Sequence, residues 1–174
     1  MATGRAGMTE ETLDEAEFRA VLSHFATGVV VVTGSTPAGP TGLTCQSFLS
    51  LSLDPPLVLL SIGRGSATWP RIRSTGLFAV NVLSSAQAGV SAAFAVSGGD
   101  KFAGVAWRPG LLGNPLIDGA LAQLECEVEA VHPGGDHEIV VARVRALAAV
   151  PQLEEPSPLV FFRSAYRTLS PAER

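Results

Sequence analysis

Cationic side chains are scarce in this sequence: 12 Lys and Arg stand against 16 Asp and Glu in 174 residues, for a formal net charge of −4 at pH 7. No block of Lys or Arg occurs anywhere. The positive footprint that draws a protein onto a phosphate backbone is therefore missing, and no nucleic-acid partner is expected. Cysteine is nearly absent as well. Cys45 and Cys126 both sit in strand-like runs, where a thiol serves as a small buried hydrophobe, so no disulfide framework is expected. There is no His/Cys cluster at metal-ligand spacing, no HExxH and no GxSxG elbow, which removes metal sites, zinc-protease chemistry and serine-hydrolase chemistry. Long apolar runs are lacking too. "GVVVV" and "PLVLLSIG" fall far short of the roughly 20 residues that cross a bilayer. The first residues also lack the charged-then-apolar layout of a secretory signal, so a reducing, cytoplasmic setting without a membrane is expected.

What the sequence does contain is 47% hydrophobic residues punctuated by 18 Gly and 12 Pro, too apolar for disorder and rich enough in turns for a short-stranded, β-rich fold. The length suits one domain, placed at residues 12–170 behind a small, polar, frayed tail at 1–11. Thr12 and Glu15 form a capping box for a helix on which Phe18, Val21, Leu22 and Phe25 recur at helical spacing until Gly28. His24, on that helix, is expected to be a partly buried structural residue.

"VVVVT" reads as a buried strand. After the turn "GSTPAGPTG", the stretch "GLTCQSFLSLSLDPP" (42–56) returns as a second strand, dense in hydroxyls and stopped by two prolines. "PLVLLSIG" follows as a third strand. In "GRGSATWPRIRSTG", Gly63 and Gly65 loosen the backbone, and Ser66 or Thr68 caps a short helix carrying Pro70 in its first turn. Two readings fit this segment: a plain capped helix, or an anion site where free N–H groups, both hydroxyls and Arg64 converge on a phosphate. A Rossmann fingerprint is not formed, because Thr68 stands at the third glycine position.

"LFAVNVL" is another strand, "SSAQAGVSAAFAV" a helix capped by Ser84 or Ser85, and "SGGDKFAGVAWRPG" a long loop. In "LECEVEAV", Leu124, Cys126, Val128 and Ala130 face the core, while Glu125, Glu127 and Glu129 face water. Beyond the turn "HPGGDH", the strand "EIVVARVRAL" carries Arg143 and Arg145 on one face. A register centred on Gly135 sets Glu127 opposite Arg143 and Glu125 opposite Arg145, pairs contributing about 0.2 to 1 kcal/mol each. "PLVFFRSAY" is a last strand. His132 and His137 flank the glycine turn, and Asp136 and Glu138 stand ready to orient or charge the His137 ring.

Six stretches, taken in order, carry a family resemblance: "FATGVVVVTG", "GLTCQSFLSLSLDPPLVLLSI", "GSATWPRIRSTGLFAVNVL", "DKF", "GDHEIVVARV" and "PLVFFRSAYRTL". From Phe18 to Leu169 the chain resembles the flavin reductase-like family, small NAD(P)H:flavin oxidoreductases that feed reduced flavin to partner monooxygenases. The resemblance implies an FMN-binding split β-barrel with Greek-key topology, normally an intertwined homodimer with flavin sites near its interface. It implies FAD or FMN, with FAD preferred, and NADH as reductant, with NADPH left open. A hydride would pass from nicotinamide C4 to flavin N5, a step that needs orientation of the two rings and no acid or base residue.

By the same resemblance the hydroxyl-rich strand runs along the isoalloxazine, through Thr44, Cys45, Gln46, Ser47, Ser50 and Ser52. The alternative for this stretch is an edge strand with solvated serines. Gln46 departs from the pattern, where Asn or a smaller residue is commoner. Ser66 and Thr68 belong to the phosphate site; Ala67 stands where relatives often carry a basic residue, which shifts weight to Arg64 or Arg71. Asn81, Lys101 and Phe102 border the flavin or its ribityl and adenine portions, and Arg163, Tyr166 and Arg167 are further cofactor contacts. His137 lies near the nicotinamide and is the side chain expected to matter for catalysis. The activity implied is that of a flavin reductase releasing its product to a monooxygenase. The alternatives are a barrel holding flavin tightly for its own redox reaction and a non-catalytic flavin-binding barrel.

Overall fold

A computed structural model describes residues 14–149 and 157–169. The tail 1–11 and Thr12 of the expected capping box lie outside these residues. The first helix, α1 (Glu15–Leu22), is capped instead by Asp14, whose carboxylate accepts the Glu17 N–H at 3.3 Å. Its apolar stripe is largely uncovered by the described residues: Phe18, Val21 and Leu22, with Phe25 just beyond, are all more than half exposed. His24 is exposed rather than partly buried; its Nδ1 lies 3.1 Å from the Ala20 carbonyl one turn back, and its ring meets the edge of Phe162 at 6.2 Å.

After β1 (Thr27–Gly28), the β-branched run forms β2 (Val30–Thr36), which pairs with β3 (Gly39–Cys45) across Pro37 and Ala38. The expected nine-residue turn thus shrinks to two residues, with Gly39 supplying a φ of +102°. The hydroxyl-rich stretch is not one strand. It breaks at Gln46–Phe48 and resumes as β4 (Leu49–Leu53), which turns at Asp54–Pro55 into β5 (Pro56–Gly63).

Next come α2 (Trp69–Arg73), β6 (Leu77–Val82), and a 3₁₀ turn at Ser85–Gln87 leading into α3 (Ala88–Ala95). The Gln87 side chain accepts the Ser84 N–H at 3.0 Å, which makes Ser84 the start of this helical segment. The expected long loop contains β7 (Trp107–Pro109), which pairs with β8 (Pro115–Ile117). Last are β9 (Ala122–Gly134), β10 (His137–Ala149), β11 (Val160–Phe162) and β12 (Ala165–Arg167). The final expected strand is therefore a hairpin, turned by Arg163 and Ser164, both at positive φ.

Seven strands form one antiparallel sheet in the order β3-β2-β6-β9-β10-β5-β4. The pairings of β2 with β6, β6 with β9 and β10 with β5 are non-local, giving Greek-key connectivity. Strand β2 is interior and buried on both faces. Val30 and Val32 join Leu60, Ile62, Ile72, Phe78 and Val140 on one side, while Val29 and Val31 join Leu83, Phe94 and Ile117 on the other. Both cysteines are free and buried.

The β9–β10 hairpin turns at Gly135–Asp136, not about Gly135 alone, and still sets Glu127 opposite Arg143, the expected pair. An irregularity at Val141/Ala142 produces that pairing, and a second at Val144/Ala146 shifts the ladder back so that Glu125 faces Ala146 instead of Arg145. The ion pairs run diagonally as a result, Arg143 to Glu129 and Arg145 to Glu127. Glu125 is not wet but 3% exposed, because the segment after β7 covers it, and its carboxylate accepts the Leu112 N–H at 2.9 Å.

Candidate active site

The break between β3 and β4 builds the site. These strands occupy opposite edges of the sheet, so residues 46–48 cross from one edge to the other along the end of β5. A groove of about 580 Å³ opens there. One wall is Leu43–Ser47, and the opposite wall is Ser61–Gly63 with the loop Gly65–Thr68. Phe94, Ala95, Ser97 and Lys101 close one side, and His137 stands at an end. Its volume falls in the range of small-molecule sites, and its lining mixes apolar residues such as Leu43, Ile62 and Phe94 with a row of hydroxyls.

Most of its hydroxyls are already engaged. Thr44 Oγ1 donates to the Ser91 carbonyl at 2.6 Å. Ser47 Oγ donates to the Ser61 carbonyl at 2.6 Å and accepts the Ser61 N–H at 2.9 Å, standing in for a ladder that β3 and β5 do not form. Ser66 Oγ accepts the Trp69 N–H at 3.1 Å, whereas Thr68, although at the N-cap position, makes no capping bond. Burial pushes the Cys45 thiol above its ordinary pKa, an effect partly offset by Ser47, 3.3 Å away, so the thiol stays protonated in the groove wall. Gln46 is exposed and accepts from the Thr27 hydroxyl at 3.3 Å.

Lys101 is the one cation in the groove lining. Its ammonium donates to the carbonyls of Gly42 at 3.0 Å and Phe94 at 3.2 Å, with Thr68 Oγ1 at 3.5 Å. Desolvation lowers its pKa, and no carboxylate pairs with it among the described residues. Gly42 must be glycine for this packing, since a Cβ there would lie 2.6 Å from the Phe94 ring and 2.8 Å from the Val32 carbonyl. At the other end, His137 Nδ1 is 2.7 Å from Asp136 Oδ1, and a Cβ on Gly63 would lie 3.6 Å from Nε2. The histidine holds the Asp136 carboxyl below the usual carboxylate range, first by that hydrogen bond and then by charge.

Thr44, Cys45, Gln46, Ser47, Ser66, Thr68, Lys101 and His137 therefore meet in one groove. Arg64 turns behind it into a second cavity of about 550 Å³ with Trp69, Arg73 and Glu138. Phe102 lines a third, of about 630 Å³, with Arg71 and Trp107; this cavity shares Ala67, Thr68 and Lys101 with the groove.

The remaining expected contacts are elsewhere. Ser50 and Ser52 ride on β4 beyond the groove. Asn81 is fully buried at the sheet centre, where its amide donates to Val31 O and Thr33 Oγ1 and accepts the Ile117 N–H at 2.8 Å, locking β8 in place. Arg163, Tyr166 and Arg167 lie on the terminal hairpin, with the Tyr166 hydroxyl 2.9 Å from Ser91 Oγ. Sequence reasoning missed Ser61 and Phe94. Ser61 had a signal, a lone hydroxyl inside "PLVLLSIG"; Phe94 read only as an apolar residue on a helix.

Residues 22–170 match the family described as the flavin reductase like domain. The chain belongs to this family. Over 159 residues it is 46% identical to the reductase subunit HsaB of a flavin-dependent monooxygenase from Mycobacterium tuberculosis, covering 91% of this chain and 84% of that protein. A homologue of nitrilotriacetate monooxygenase component B from Mycobacterium thermoresistibile superposes with a TM-score of 0.87 at 46% identity, covering 90% and 87% of the two chains. The NADH:FAD oxidoreductase SgcE6 of Streptomyces globisporus, solved with NAD and FAD fragments, superposes at 0.85 with 36% identity over 91% and 94%. The flavin reductase fold in this chain is the expected split barrel, left unclosed between β3 and β4.

Proposed function

We propose that this chain is the reductase component of a two-component monooxygenase, an NADH-dependent flavin reductase that takes up FAD or FMN, reduces it and releases it to a separate oxygenase. The observation that carries this reading is Lys101. It is a partly buried cation that, among the described residues, is held by neutral acceptors, at the seam between the groove and a second, more polar cavity. A partly desolvated charge with no carboxylate beside it among the described residues favours an anionic ligand. A flavin nucleotide brings a planar ring system for the groove and a phosphate for the ammonium, so the residues present fit it.

Leu43, Ile62 and Phe94 would flank the ring system, and Lys101 with Thr68 would hold the phosphate. The cavity beyond Lys101, with Trp107 and Phe102 at its wall, gives room past the phosphate, which favours FAD over FMN. When bound, the flavin supplies a two-electron acceptor for reduced nicotinamide. His137 is placed to bind and orient the incoming nicotinamide, with Asp136 fixing its ring through Nδ1. No acid or base pair is required of the protein, and its work is orientation.

The exposed stripe of α1 and the leucines Leu49, Leu51 and Leu53 on edge strand β4 support a homodimer that covers them. Two free buried thiols suit the reducing cytoplasm. The decisive experiment is steady-state oxidation of NADH and NADPH with FAD, FMN or riboflavin titrated in. Saturable dependence on added flavin is expected, strongest with NADH and FAD. Turnover independent of added flavin would replace the reading with that of a resident cofactor.

A further inference from the structure

The cavity behind the groove, lined by Arg64, Trp69, Arg73 and Glu138, has no part in the function proposed above. We propose that Glu138 is a positioning residue: acting from this rear cavity, it fixes the loop Gly63–Thr68 as a wall of the groove. His137 and Glu138 are consecutive on β10, so their side chains leave opposite faces of the strand, His137 into the groove and Glu138 into the cavity behind. The Glu138 carboxylate is divided between two donors. One oxygen accepts the Trp69 indole N–H at 2.9 Å, and the other accepts from the Arg73 guanidinium at 2.8 Å.

Both donors lie on α2, which has five residues and cannot be stable as a helix without tertiary support. Trp69 is 2% exposed and packs edge-on to Phe78 at 6.0 Å, so the indole transmits the anchor rigidly. Its backbone N–H then donates to Ser66 Oγ, and Ser66 faces the groove. A continuous path thus runs from Glu138 through Trp69 to Ser66. A second tie, from the Arg64 N–H to the Asp136 carbonyl at 2.9 Å, holds the same loop to the residue that orients His137.

The inference rests on the groove's being the flavin site, and its test separates the two claims. Trp69 emission, the report on the anchor, is read in a Trp107→Phe background, where Trp69 is the only tryptophan; all flavin measurements are made with Trp107 retained. Flavin dissociation constants are measured by equilibrium dialysis, and kcat and KM for flavin by NADH oxidation, for Glu138→Ala and Glu138→Gln. Glu138→Ala should shift Trp69 emission to the red and raise both Kd and KM for flavin about tenfold, with kcat at saturation within about twofold. Glu138→Gln keeps an acceptor for the indole and should recover Kd to within about threefold of wild type. Unchanged Kd and KM in Glu138→Ala, or a fall in kcat without a rise in KM, would overturn the positioning role while leaving the reductase assignment intact. A wild-type protein that neither binds nor reduces flavin would overturn both.

Discussion

The hydroxyl of Ser47 occupies the place of a backbone group opposite Ser61, donating to its carbonyl at 2.6 Å and accepting its N–H at 2.9 Å. The sheet has no ladder between β3 and β5, so this side chain closes the seam where the groove begins. Ser47→Ala leaves both polar groups of Ser61 without a protein partner. Urea denaturation should show a loss of about 1 to 2 kcal/mol, accompanied by a rise in KM for flavin. Unchanged stability would mean that water serves the seam equally well.

At the far end of the groove, the Asp136 carboxylate meets His137 Nδ1 while Nε2 faces Gly63. His137→Ala should lower the flavin reduction rate by about ten- to a hundredfold in stopped-flow measurements, with flavin affinity nearly unchanged. Asp136→Asn should lie between the variant and wild type, since it keeps a partner for the ring but not the charge. An unaltered reduction rate in His137→Ala would remove this residue from the reaction.

Lys101 links the groove to the cavity beside it. Lys101→Met should weaken FMN and FAD by about tenfold or more and leave riboflavin, which has no phosphate, within about twofold. The pH dependence carries the same signature. Desolvation lowers the Lys101 pKa below its ordinary 10.5, so its charge is lost earlier as pH rises. FMN affinity should therefore decline on the alkaline side, below pH 10.5, and riboflavin affinity should not. Parallel declines for the two flavins would place the phosphate elsewhere.

Cys126 predicts an alkaline loss of stability. Burial, together with the charge of Glu125, raises its thiol from 9.0 to about 12. Below pH 9 the folded and unfolded thiols are both protonated, and the stabilisation is fully present. Above it the unfolded thiol ionises first, so stability falls with pH until the folded thiol also ionises near pH 12, by up to about 1.4 kcal/mol per pH unit. Urea unfolding across this range should show a shallower decline for Cys126→Ala than for wild type. Equal slopes would assign the loss to other groups.

Local chemistry was enough to read the β-branched run that became β2, the break at Asp54–Pro55 after β4, the hairpin near Gly135 and the β-rich character, because propensity, alternation and turn residues act over a few neighbours. The ordered set of short motifs was also sufficient to indicate the family. Burial and adjacency were not legible in the same way, since non-local packing decides them. Glu125 alternates like its wet neighbours, yet it is buried because a segment ending more than ten residues earlier folds over it. Thr44 and Ser50 lie in one continuous hydroxyl-rich stretch, yet they belong to opposite edges of the sheet, so only the first reaches the groove. Asn81 resembled a ligand contact and is instead consumed by the backbones of β2 and β8. Only the tertiary structure brought Lys101 between Gly42 and Phe94, leaving a cation with no counter-charge among the described residues; such a site exists only once distant segments have partly desolvated it.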